Sequence, residues 1–265
     1  MNIKVVLEYD GSSFAGWQLQ RKKVLPIHGE VARRAGGAGP EEQGLRTVEG
    51  ELRNALRSIT GQELVVYAAG RTDAGAHAEG QVASFHTDGR IAPRRLVAAL
   101  NARLPADVAV LSAEEVPEGF HARYSARWRR YRYRYLDRPA RPALDRGRCW
   151  HVRSALDVEA MAAAAGALVG KHDWTSYCSA SEPERDRVRE MRSARVARRG
   201  EFVELELVAE GFLRGLVRSL AGALAEVGRG ERPPEWVGKV LRARDRRQAP
   251  RTAPAGGLTL MEVIY

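Results

Sequence analysis

Residues 70–85 read GRTDAGAHAEGQVASF, and this stretch decides how the chain is laid out. It joins an apolar run, Leu64 to Ala69, to an alternating one, Gln81 to Phe85. The pattern predicts strand, tight turn and strand, with a single acid, Asp73, at the tip between Arg71 and His77. Gly70, Gly75 and Gly80 permit close backbone approach or a positive φ. Loops held by rigid strands are where binding and reacting groups tend to sit. The same pattern also suits an Asp that merely caps its own turn.

Toward the N-terminus, Ile3, Val5, Leu7 and Tyr9 alternate with Lys4, Val6 and Glu8, which predicts a strand over 2–9 followed by the turn GSSFAG. The stretch 21–45 is charged and Gly-rich without clear periodicity, and reads as a long loop or insertion. Behind Thr47, an N-cap residue, Val48, Leu52 and Leu56 share one helical face. Further on, the spacing predicts a helix near 92–103, a strand near 107–112 and a basic aromatic strand at 128–136. The Pro- and Arg-rich connection RPARPALDRGR then divides the chain. Beyond it come a helix at 156–168, a variable loop at 178–190, strands near 191–198 and 201–209, helices at 212–227 and 234–244, and a strand at 258–265. The expectation is an α+β fold of two similar halves, 1–136 and 137–265. Their largely antiparallel sheets would form a basic cleft, with helices packed on the outer faces.

The length of 265 residues allows one large domain or two ordinary ones. No apolar stretch approaches the roughly 20 residues that span a bilayer, and MNIKVVLEYD ends in acids where a signal peptide would be cleaved. A cytoplasmic protein is expected. Cys149 and Cys178 lack CxxC spacing and the six His residues are scattered, so neither a disulfide framework nor a metal centre is expected. The net charge of +10 points to a polyanionic partner. Yet 38 of the 43 basic residues are Arg, a bias that genome composition alone can produce, so charge carries weight only where it is concentrated.

It is concentrated in FHARYSARWRRYRYRY, residues 120–135, with six Arg and six aromatics. Strand alternation sends Arg130, Arg132 and Arg134 to one face and Tyr131, Tyr133 and Tyr135 to the other. The arginines would meet phosphates while the tyrosines pack or stack on a base. The alternative is a tyrosine core with a solvated arginine edge. In GFLRGLVRSLAGALAEVG, residues 211–228, an apolar helical face carries Arg214 and Arg218 four apart, on one side. A buried Arg needs an anion, but spacing does not say which. Tyr9-Asp10-Gly11-Ser12 faintly resembles the opening of haloacid-dehalogenase-type phosphatases, except that Glu8 stands where their nucleophilic Asp belongs.

Taken together, these segments resemble the tRNA pseudouridine synthase A family. GRTDAGAHAEGQV is similar to its catalytic GRTDAGVHA segment, with Ala76 where Val is usual. FHARYSA followed by RRYRY, FLRGLVRSLAG and APAGGL resemble its second, third and fourth motifs, and YDGSSFAGWQLQ and DWTSY also fit. The stretch 21–45 looks longer than in typical members. The resemblance implies isomerisation of uridine to pseudouridine at positions 38–40 of the tRNA anticodon arm, by a homodimer, without a cofactor. It implies that Asp73 is the nucleophile, that Tyr131 stacks on the target uracil and is one candidate to take its C5 proton, and that Arg218 pairs with Asp73. Arg71, Arg90 and the run Phe120, His121, Ala122, Arg123 and Tyr124 would contact tRNA, as would the loop Ser181, Glu182, Pro183, Glu184 and Arg185. The rival expectation is a non-catalytic RNA-binding protein using the same basic aromatic strand.

Overall fold

The structure, a computed structural model, describes residues 1–18, 45–89, 91–182 and 185–265. Apart from Leu45, the 21–45 stretch lies outside the described residues, as do Arg90, Pro183 and Glu184.

The fold is α+β with a mostly antiparallel sheet. Its N-terminal strands are β1 (Asn2–Tyr9), β2 (Tyr67–Ala68), β3 (His77–His86), β4 (Val108–Val116) and β5 (Trp128–Leu136). They are followed by β6 (Trp150–His151), β7 (Gly170–Asp173), β8 (Val188–Arg199), β9 (Phe202–Ala209) and β10 (Leu258–Ile264). All belong to one sheet of order β4-β1-β3-β10-β5-β9-β8-β7, with β2 on β3 and β6 on β5. The expected sheets are thus continuous: β10 runs parallel to β3 on one side and antiparallel to β5 on the other.

Among the described residues there are five helices, α1 (Val48–Thr60), α2 (Pro93–Asn101), α3 (Val158–Gly166), α4 (Leu216–Gly228) and α5 (Glu235–Ala243). The Thr47 hydroxyl accepts the Gly50 N–H and so closes the first turn of α1, while Val48, Leu52 and Leu56 turn inward. Paired residues share a sheet face, so Tyr9, Ala78, Leu260 and Tyr131 lie side by side across four strands. Buried residues of all five helices join the same core as these four. The helices therefore cover one face of the sheet, not two outer faces as expected.

The opposite face gives the arginines of β5 partners that alternation alone does not show. β9 has its own alternation, and its register sets Glu206 opposite Arg132 and Glu204 opposite Arg134. Arg130 reaches Glu262 at 3.0 Å, Arg132 reaches Glu79 at 2.7 Å, and Arg134 lies 3.6 Å from Glu204. The arginine stripe of β5 is paired with carboxylates of β3, β9 and β10. Smaller departures occur at element ends. The strand expected over 64–69 shrinks to Tyr67–Ala68, because Leu64 and Val66 turn into the core without a partner strand. β3 begins at His77 rather than Gln81.

Candidate active site

The Asp73 loop is gripped from behind by the turn after β1. Trp17 N–H donates to the Thr72 carbonyl at 3.1 Å and Gly75 N–H to the Phe14 carbonyl at 3.2 Å. Gly11 is pressed so close to Ala76 that a Cβ on it would stand 1.8 Å from the Ala76 oxygen. The Asp73 carbonyl accepts the Ala76 N–H at 3.1 Å, a β-turn whose third residue, Gly75, has φ +80°. Beneath the loop, the buried Gln81 amide donates to the Gly70 carbonyl at 2.8 Å, and the Tyr9 and Thr72 hydroxyls bond at 2.8 Å. Burial outweighs the bonds from Thr72 and Gln81 and pushes the Tyr9 phenol up to about 12, so it stays a neutral hydrogen-bonding group.

With the backbone held this way, the Asp73 carboxylate does not cap its own turn. Its Oδ2 accepts a hydrogen bond from Arg218 Nη1 at 2.8 Å. Arg218, in the first turn of α4, also donates from Nε to the Ala253 carbonyl at 2.8 Å, and Ala253 N–H donates to the Arg218 carbonyl at 3.0 Å. The two charged side chains are 26% and 24% exposed, so the pair is fixed yet still open to an incoming molecule. Tyr131 meets the same loop from β5. Its hydroxyl is 3.5 Å from where a Cβ on Gly70 would be, and its ring packs edge-on against Phe212 at 4.8 Å. Burial, with smaller contributions from Tyr9 and the Asp73 charge, raises the Tyr131 phenol above its ordinary value.

Arg214 is not with Arg218. Gly215, at φ +74°, breaks the helical path, so α4 starts at Leu216 rather than 212. Arg214 lies in the preceding turn, where its N–H donates to Glu182 at 2.6 Å and its guanidinium reaches Ser181 at 3.4 Å. The described part of the 181–185 loop is thereby tied to the α4 entrance, with Arg185 exposed.

The 120–124 run lies against the other side of β3. Phe120 packs on Tyr265, and buried Ala122 donates to the Ser84 hydroxyl at 3.1 Å. His121 sits between the rings of Tyr67 and Tyr124, at 4.6 and 4.5 Å, and its Nδ1 accepts the Arg123 N–H. Arg71, Arg123 and Tyr124 are exposed. Arg129, not singled out in the sequence, is buried and donates to the carbonyls of Ala69, Arg123, Ala126 and Glu210. It joins the 120–126 segment to the approach of the Asp73 loop. Its parity, the same as that of the core tyrosines, was the readable signal.

The sequence is similar to known proteins over nearly its whole length. A family model described as tRNA pseudouridine synthase matches residues 38–125 and 164–265. A tRNA pseudouridine synthase A of Moorella thermoacetica is 44% identical over 263 residues, covering 99% of each chain. Proteins of the same name from Halalkalibacterium halodurans and Caulobacter vibrioides are 41% and 42% identical, over 97% and 99% of this chain and 89% and 98% of theirs. With these matches running through nearly all its length, the chain belongs to the tRNA pseudouridine synthase family.

Proposed function

We propose that this protein isomerises uridine to pseudouridine at positions 38–40 in the anticodon arm of tRNAs, with Asp73 as nucleophile. The observation that carries the proposal is the Asp73–Arg218 pair at 2.8 Å, set on a loop whose backbone is satisfied by other groups and beside the Tyr131 ring. A carboxylate oriented by a cation, and not engaged in capping, is free to form a covalent adduct with the nucleotide at C1′ or at C6. Attack at C1′ displaces N1 directly, whereas attack at C6 precedes breakage of the C1′–N1 bond; on either route a C1′–C5 bond forms, the bond to Asp73 is released, the C5 proton leaves and N1 gains one. The balance is internal, so no cofactor is needed.

The target uridine must leave the helical stack, at a cost of a few kcal/mol that stacking on Tyr131 would offset. Burial keeps the Tyr131 phenol protonated, which favours stacking over removal of the C5 proton by a phenolate. Arg71, Arg123, Tyr124 and Arg185 are exposed cationic and aromatic groups suited to an RNA backbone and its unpaired bases. The same proposal includes a basic cleft between similar halves 1–136 and 137–265, a homodimer across which tRNA lies, and a cytoplasmic site of action. No helix among the described residues is long and apolar enough to cross a membrane.

The test is tritium release from tRNA labelled with [5-³H]uridine. Wild type should release tritium, and Asp73→Asn should release none while binding tRNA within about threefold of wild type. Release by the Asn variant at the wild-type rate refutes the nucleophile. Binding without release by wild type favours the non-catalytic RNA-binding reading.

A further inference from the structure

His77 is the first residue of β3 and directly follows the turn that carries Asp73. Its side chain is buried, and both ring nitrogens are engaged. Nδ1 accepts the Gly11 N–H at 3.1 Å, so the ring proton resides on Nε2, which donates to the Gly147 carbonyl at 2.8 Å. The next residue, Arg148, donates from Nε and Nη2 to Asp10 at 3.2 and 2.8 Å. Asp10 also accepts the Ser12 N–H, and its Oδ1 lies 3.3 Å from His77 Nδ1. Although burial opposes it, hydrogen bonds from Ser12 and Arg148 hold the Asp10 carboxyl below its usual range. Residues 147–148 therefore grip both the exit of the Asp73 turn and the turn after β1 that backs it.

The same carbonyl supports the other partner. A Cβ on Gly256 would stand 2.4 Å from the Gly147 oxygen, so the segment 253–257 rests directly on Gly147. At its other end this segment holds Arg218 through the Ala253 carbonyl. Gly147 is thus the point from which the chain reaches Asp73 through His77 and Arg218 through residues 253–256.

We infer that His77 is a positioning residue that docks the Asp73 loop on Gly147 and so sets the carboxylate against Arg218, with Arg148 and Asp10 bracing the joint. This rests on Asp73 being the nucleophile. His77 itself touches no substrate. Displacements of about 1 Å at a reacting group cost on the order of 100-fold in rate without removing binding contacts, so the effect belongs in the chemical step.

The experiment compares His77→Ala, His77→Gln and Arg148→Ala with wild type, by single-turnover pseudouridine formation and by tRNA dissociation constant. His77→Ala should slow the chemical step by about tenfold or more, with tRNA affinity within about twofold. His77→Gln, whose amide can still donate to the Gly147 carbonyl, should recover most of that loss. Arg148→Ala, at a half-exposed site, should slow the step by a smaller factor at unchanged affinity. Should the Ala variant fail to fold, the Gln and Arg148 variants decide. A wild-type rate in His77→Ala overturns the inference, as does a rate loss matched by an equal affinity loss, or a Gln variant no better than Ala. An inactive wild type overturns the functional reading instead, which keeps the two failures apart.

Discussion

Gly11→Ala isolates a steric effect from a conformational one. Gly11 is not among the positive-φ glycines, so alanine meets no backbone strain there. The added Cβ, however, would stand 1.8 Å from the Ala76 oxygen, 2.5 Å from its carbonyl carbon and 3.1 Å from its nitrogen. These are backbone atoms of the Asp73 turn and cannot swing aside. Non-bonded heavy atoms settle near 3.5 Å, so the two segments must part by about 1.7 Å. Over-packing of this kind costs about 1–3 kcal/mol, or roughly 2–12 °C in melting temperature for a chain of this size. The parting also stretches the Gly11 N–H to His77 bond. Moving the turn by an ångström or more should lower the rate of pseudouridine formation roughly 100-fold. Gly119→Ala is the control, since a Cβ there meets nothing within 4 Å and its φ is ordinary. Tritium release and thermal melting of both variants are the assay. Equal rates and melting temperatures in Gly11→Ala and Gly119→Ala would refute the reasoning.

Other outcomes follow from the same structure. Tyr131→Phe keeps the ring and its edge contact with Phe212, so it should retain far more tritium release than Tyr131→Ala and melt within about 3 °C of wild type, whereas the cavity left by Ala costs about 3–5 kcal/mol. Complete loss in both would give the work to the hydroxyl. Arg132→Gln should leave tRNA affinity and its salt dependence unchanged, because Glu79 and Glu204 already claim that guanidinium, while Arg123→Ala should weaken binding and flatten the salt slope by about one; equal effects would restore the β5 stripe as an RNA surface. Burial raises the phenol pKa of Tyr9, Tyr131, Tyr133, Tyr135, Tyr177 and Tyr265. Each raised group contributes stability that is complete below the unfolded value near 10 and is lost as pH rises from there toward the folded value. Denaturant melts should therefore show stability falling steeply above about pH 10, and a flat profile to pH 11.5 would contradict the burial of these phenols.

What could be read from the sequence was whatever has a period or a cap. Thr47 marked the start of α1, and the alternation of β5 put Tyr131, Tyr133 and Tyr135 inward as built. Neighbour relations have no such signature. Nothing in LTLMEVI says that Leu260 lies between Ala78 and Tyr131, and the glutamates that pair with the β5 arginines sit in other strands, visible only once the register is known. The end of an apolar pattern also misled, because Phe212 and Leu213 continue the helical spacing of α4 although Gly215 interrupts its backbone. Of the site, the residue types were legible in their motifs. Spacing did not show the Asp73–Arg218 contact, separated by 145 positions and expected only through the family resemblance, and nothing showed the His77–Gly147 strut, since both depend on where three distant segments converge.

The place of β10 bears on how such a protein comes into being. The strand nearest the end of the sequence fills the middle of the sheet, between β3 and β5. As the chain leaves the ribosome, β1, β3 and β4 can pair early, and β5, β8 and β9 can pair later. The gap between these two groups stays open until residue 264 has emerged, and the long-range pairing that closes it is intrinsically slow. A nascent or truncated chain accordingly exposes two unpaired strand edges, the kind of surface that aggregates or recruits chaperones. Termination before β10 should therefore leave β3 and β5 without the strand that joins them.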